Sequence, residues 1–182
     1  MTKQSVVRAL RRAGTCELII AAKLISSGKV KLNILHTYRP KGLDAHGKPH
    51  RAESGTLGTF DPATPNEVNI YRGGSVLDTK RVAGVVTHEV WHYIQWQSGV
   101  REFRLGHEAE AHRIQGKIDK RHYGADYKET IVDGKVVRQG LTDWGLMYVL
   151  RTNTGYGHMA NDPIKRGRTR RIVDPTTIAG AI

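Results

Sequence analysis

Residues 87–93 read Thr-His-Glu-Val-Trp-His-Tyr, which places two histidines four positions apart with a glutamate directly after the first. On a helix, positions four apart lie on one face, so His88 and His92 can direct both imidazoles at one metal ion. Glu89 lies about 100° round the helix from His88, where it can reach a water that the metal activates without being a ligand itself. The alternative is a pair of hydrogen-bonded histidines in an ordinary core.

The residues around this motif favour the metal. They predict a helix that begins at Asp78 or Thr79, continues to about Ser98 and is ended by Gly99. Burial of two imidazoles and a carboxylate costs several kcal/mol unless a partner satisfies them. Zinc does so with neutral imidazoles and one further protein ligand, and it leaves a fourth position for water. The helix is expected to be buried on several sides because its apolar residues are Val82, Val85, Val86, Val90 and Ile94.

The rest of the chain predicts an α+β fold. Apolar spacing predicts two helices between Ser5 and Ser27, separated at Gly14-Thr15, and a second long helix after the metal-motif helix. Alternation and turn residues predict the strands, and Asp133-Gly134 favours a hairpin turn. In order after the first two helices, the expected elements are a strand at 30–36, strands at 56–60 and 67–71, the metal-motif helix, a helix at 106–122, a hairpin at 130–137 and a short helix at 141–151.

Length and composition indicate one domain over residues 1–163, followed by a basic flexible tail at 164–182. A single cysteine excludes an intrachain disulfide and a cysteine-based zinc site. We find no signal peptide and no run long enough to span a membrane, so we expect a cytoplasmic protein with no membrane partner.

The net charge of +12 is unevenly distributed. Residues 1–60 hold 11 Lys/Arg against 3 acids and residues 116–182 hold 12 against 7, whereas residues 61–115 hold 6 against 7. The turn-forming stretch at 38–55 is read as a mobile basic surface loop. Basic flanks suggest a polyanionic partner, either nucleic acid or another anionic polymer, although the charge also fits plain solubility.

A third metal ligand is expected from the next helix, which reads Gly-His-Glu-Ala-Glu-Ala-His-Arg at 106–113. His107, Glu108, Glu110 and His112 compete for this role. Glu108 and His112 share one helix face, whereas Glu110 points about 200° away from Glu108 and lies among more polar neighbours. The face argument favours Glu108.

The H-E-x-x-H motif followed by a helix with E-x-E-A-x resembles the gluzincin (thermolysin-like) metallopeptidases, including the minimal ImmA/IrrE-type families. The longer zincin pattern does not apply, because Gln95 and Ser98 stand where it has glycine and histidine. The resemblance covers residues 56–115. It implies a compact minimal zincin fold, in which a small, mostly antiparallel sheet packs on the metal-motif helix and on a second, ligand-bearing helix.

The resemblance also implies roles for single residues. Zn²⁺ is bound by His88, His92 and Glu108, and Glu89 is the general base. In the family, the position of His112 is usually Asp or Asn and braces a ligand histidine, so this chain departs from the pattern there. His112 could brace in the same way or be a ligand itself.

Two further expectations concern the substrate. The family places a peptide as an added strand on a sheet edge, here the strand at 67–71, although these residues equally fit a core strand. A Tyr or His donor commonly stabilises the oxyanion, and Tyr156 and His158 are the candidates because Gly155 and Gly157 free that loop to close.

The sequence therefore predicts a zinc-dependent metallopeptidase that hydrolyses peptide bonds of a peptide or protein substrate. Two rival functions remain. One is a basic nucleic-acid-binding or assembly protein with a non-catalytic metal site. The other is a metal hydrolase of cell-wall peptide crosslinks, whose anionic polymer would suit the basic flanks.

Overall fold

Two helices, three short strands, two helices and two further strands follow one another along the described part of the chain in an α+β arrangement. The computed structural model describes residues 2–35, 57–71, 79–118, 128–132, 135–139, 150–151 and 159, and the structural statements below concern these residues. The elements are α1 (Lys3–Ala13), α2 (Cys16–Ser26), β1 (Lys31–Leu35), β2 (Gly58–Phe60), β3 (Glu67–Tyr71), α3 (Thr79–Gln97), α4 (Leu105–Gly116), β4 (Lys128–Val132) and β5 (Lys135–Gln139).

The first two helices are separated where the sequence predicts a break. Gly14 follows α1 with φ of 75°, a left-handed conformation that glycine adopts without a steric penalty. Thr15 then precedes α2 with an extended backbone. Thr2 caps α1, because its side chain accepts a hydrogen bond from the Ser5 backbone N–H.

The core sheet has three strands in the order β1-β3-β2 and is mixed. β1 pairs with β3 in parallel and β2 pairs with β3 antiparallel, so the expectation of a mostly antiparallel sheet is wrong for one of its two pairings. β3 is the central strand, which corrects its assignment as a sheet edge. The central position of β3 agrees with its burial, since Val68 and Ile70 are fully buried, whereas both ends of β1 are exposed.

α3 is the most deeply buried helix that the structure describes. Every residue from 82 to 95 is buried, including Trp91 at 2% exposure. The helix packs on α1 and α4 and against strands β2 and β3. The prediction of a helix buried on several sides is therefore confirmed, and the polar residues of the 87–93 stretch lie inside the protein.

The C-terminal elements are described in part. α4 ends at Gly116, and residues 117–118 form a turn, so the prediction of a helix that continues to 122 is wrong. β4 and β5 form the expected antiparallel pair. Most of the predicted helix at 141–151, the loop at 38–55 and the tail at 164–182 lie outside the described residues. No helix in the described part of the chain combines the length and hydropathy needed to cross a bilayer.

Candidate metal centre

The packing of α3 on α4 brings two histidines and a glutamate together. His88 and His92 project from α3, and Glu108 comes from the first turn of α4. The two histidine Nε2 atoms lie 3.1 Å apart. One Glu108 carboxylate oxygen lies 3.3 Å from Nε2 of His88, and the other lies 3.3 Å from Nε2 of His92.

These distances suit a tetrahedral metal ion. Two ligands of zinc, each about 2.0–2.1 Å from the ion, are separated by roughly 3.3 Å in tetrahedral geometry. The two imidazole nitrogens lie 3.1 Å apart, and each lies 3.3 Å from a different oxygen of Glu108, so all three separations are close to that length. The donor set of two imidazoles and one carboxylate is also one that zinc accepts in catalytic sites. The residues present could therefore hold a metal ion, and their donor chemistry is compatible with zinc.

Burial makes the charges of this cluster interdependent. His88, His92 and Glu108 are each only 6–7% exposed. Burial opposes the charge of His92, but Glu108 outweighs it through attraction and a hydrogen bond and raises the pKa of His92 to about 9. Burial likewise opposes the charge of Glu108, yet the two histidines hold its pKa well below the usual value.

His112 defines a second, overlapping group of potential ligands. Ligand atoms of His88, Glu108 and His112 all lie within 4.8 Å of one another, and all three residues are buried. The rings of His88 and His112 have centroids 4.4 Å apart. The two groups share His88 and Glu108 and differ in the third member. We favour His92, because its Nε2 lies 3.1 Å from Nε2 of His88 and 3.3 Å from a Glu108 oxygen.

Glu89 is held against strand β2. It is 7% exposed, and its carboxylate accepts a hydrogen bond from the Phe60 backbone N–H. Gly58 permits this approach, because a Cβ there would lie 2.9 Å from Glu89 Cγ and Oε1 and 2.7 Å from Val85 Cγ1. Burial raises the pKa of Glu89, although the neighbouring histidines pull it down. A carboxylate with a raised pKa is suited to take up a proton and to return it.

Gln95 links the two helices behind the metal ligands, and sequence reasoning missed it. Its side-chain carbonyl lies 2.8 Å from Nδ1 of His92. Its amide nitrogen donates to the His107 backbone carbonyl at 3.1 Å and to Glu110 at 2.9 Å. A proton on Nδ1 of His92 satisfies the Gln95 oxygen and leaves Nε2 free for a metal. The sequence signal that could have indicated this contact is spacing, because Gln95 lies three residues beyond His92 and therefore on the same side of the helix.

Phe103 closes one side of the cluster and was also missed. Its ring meets the His92 ring edge-on with centroids 4.9 Å apart, and the Phe60 ring at 5.9 Å. An apolar wall of this kind excludes water from the imidazole and strengthens the local electrostatics.

The sequence-predicted site residues fall into two sets. The structure brings His88, Glu89, His92 and Glu108 together, and Glu110 faces Gln95 rather than the histidines. Metal binding by this cluster stays a prediction, as does the assignment of zinc. The proposed oxyanion donors Tyr156 and His158 lie outside the described residues.

Comparisons with protein-family models, with curated proteins and with solved structures found no match for this chain.

The raised pKa of His92 predicts that zinc affinity depends on pH. The proton is favoured on folded His92 up to pH of about 9, and zinc needs the neutral imidazole, so binding must release that proton. Between pH 6.5 and 9, the affinity should rise about tenfold per pH unit after correction for the competing chelator. Calorimetry in two buffers of different ionisation enthalpy should show one proton released. A flat affinity over this range would contradict the charge state assigned to His92.

Gln95→Met should weaken zinc binding while the protein stays folded. The apolar side chain keeps the volume but removes the acceptor that orients His92, and such losses commonly cost about ten- to a hundredfold in affinity. Gln97→Met is the matched control, because Gln97 is exposed on the same helix. Chelator competition measures both variants. Equal affinities for Gln95→Met and the wild type would show that packing alone orients His92.

Proposed function

We propose that this chain is a zinc-dependent metallopeptidase of the gluzincin type, built on a compact minimal zincin fold. The observation that carries the proposal is the cluster of His88, His92 and Glu108, in which the two Nε2 atoms lie 3.1 Å apart and each lies 3.3 Å from one of the two Glu108 oxygens. Glu89 adds a buried carboxylate that no structural site requires, and it directly follows the proposed ligand His88 on α3.

The chemistry divides between the ion and the chain. Zinc at this site would act as a Lewis acid, which polarises a peptide carbonyl and lowers the pKa of water. Glu89 takes a proton from the water that adds to the carbonyl carbon. As the C–N bond breaks, Glu89 delivers that proton to the departing amine, so the carboxylate is regenerated. The Phe60 N–H and the close approach of Gly58 hold the Glu89 side chain in place for both transfers.

The peptide or protein substrate is proposed to lie along β2. β3 is paired with a strand on each side, so it has no free edge. β2 is one of the two outer strands among the three described, and it is the one that lies next to Glu89. Addition of an extended peptide to a sheet edge uses main-chain hydrogen bonds and places alternate side chains on opposite faces. A scissile carbonyl near Phe60 would then be close to the general base.

Glu89→Gln should separate metal binding from catalysis. The amide is nearly isosteric and is not proposed as a ligand, so we expect about one zinc per chain in both variant and wild type. It cannot act as a base, and loss of such proton transfer lowers rates about a hundred- to ten-thousandfold. Elemental analysis gives the zinc content, and a quenched fluorescent peptide mixture gives the rate.

Glu102→Gln is the control, since Glu102 carries an exposed carboxylate outside the cluster and should keep both zinc and activity. Absence of zinc from the wild type after growth and purification in its presence would refute the metal site. Cleavage by Glu89→Gln at the wild-type rate would refute the role of Glu89 while leaving the metal in place.

A second candidate function, a purely structural metal site, is favoured by the position of His112. With His88, His92 and Glu108, it could complete four protein ligands, and structural zinc sites are closed in this way. A closed structural site has no use for the buried carboxylate of Glu89 beside the cluster, so we rank this candidate below the peptidase.

Zinc X-ray absorption distinguishes the two candidates by counting imidazoles. If the chain is a peptidase, zinc should be bound by two imidazoles and by oxygen ligands in both the wild type and His112→Asn. His112→Asn should weaken zinc binding about ten- to a hundredfold if His112 only braces a ligand histidine. Three imidazoles in the wild type that fall to two in the variant would instead establish the closed structural site.

A further inference from the structure

A cationic cavity lies away from the metal cluster, between α1, the start of α3 and the end of α4. Its volume is about 560 Å³, within the range of small-molecule sites. None of the described residues that line it is acidic. Its polar lining consists of Arg8, Arg12, Lys80, Lys117, Ser5 and Thr79.

Three of the four cations form no ion pair with an acid in the described part of the chain. Lys117 is the exception, because its ammonium lies 2.6 Å from a carboxylate oxygen of the buried Glu17. No ion pair joins Arg8, Arg12 or Lys80 to any described acid. The cavity therefore concentrates three positive charges that the described structure leaves uncompensated.

The placement of these charges is unfavourable for the helices alone. Arg8 and Arg12 are four residues apart on α1, where like charges repel. Lys80 is in the first turn of α3, at the positive end of the helix dipole, and no acid offsets it in that turn. An anion in the cavity would relieve both repulsions at once.

We propose that this cavity binds the phosphate groups of a small phosphorylated anion, either an inorganic polyphosphate or a nucleoside polyphosphate. Guanidinium groups match phosphate oxygens with paired hydrogen bonds, and Arg8 and Arg12 supply two of them side by side. Lys80 adds a third positive charge from the start of α3. A concave site between α1, the start of α3 and the end of α4 accommodates a compact ligand better than the backbone of a duplex. The site is independent of the proposed metal chemistry.

The test is calorimetric titration of the full chain with tripolyphosphate, ATP and adenosine at about 0.15 M salt, where distant surface charges are screened. We expect tripolyphosphate and ATP to bind and adenosine not to bind. Similar affinities for tripolyphosphate and ATP would show that only the phosphate groups are recognised. A clear preference for ATP would show that the nucleoside is recognised as well. Arg8→Gln/Arg12→Gln should weaken phosphate binding about tenfold or more, since it removes both guanidinium groups.

Lys3→Gln/Arg11→Gln removes two charges from the same helix outside the cavity, and it should change the affinity by less than about twofold. Lys80→Gln provides a second test on another helix should the double variant fail to fold. Equal losses in the cavity and control variants would show diffuse charge attraction and overturn the proposal. Failure of both tripolyphosphate and ATP to bind would overturn it as well.

Discussion

The rest of the structure depends on the burial of three polar side chains between α3 and α4. These are His88, His92 and Glu108, and each is only 6–7% exposed. Burial of these groups is tolerated only while they compensate one another or share an ion. Rotation of either helix by one residue turns its side chains by about 100° and would leave Glu108 buried without a cation. Electrostatics as well as apolar packing therefore fix how the two helices cross. Gln95 of α3 stabilises the same arrangement, because its amide donates hydrogen bonds to His107 and Glu110 of α4.

The features that the sequence predicted well are those set by local interactions. Helical periodicity placed α3 within about a residue of its observed limits, and alternation placed β3 at its observed limits. Gly14 ends α1 through its own conformational freedom. The preference for Glu108 over Glu110 needed only helix geometry, and the structure puts Glu108 beside the histidines and Glu110 beside Gln95.

The features that could not be predicted depend on contacts between distant parts of the chain. The parallel pairing of β1 with β3 joins strands separated by more than thirty residues, and no local pattern specifies it. The same pairing makes β3 central. Gly58 approaches Glu89 only because β2 crosses α3, and in the sequence it is one glycine among 20. Gln95 is meaningful only once α4 is packed against it.

The burial of every proposed ligand also has a kinetic consequence. His88, His92 and Glu108 are each only 6–7% exposed, so a bound ion could be reached only through the coordination position that is left for water and substrate. A chelator and a peptide substrate would therefore compete for the same route to the ion. Metal loss would then be slower from the substrate-bound protein than from the free protein.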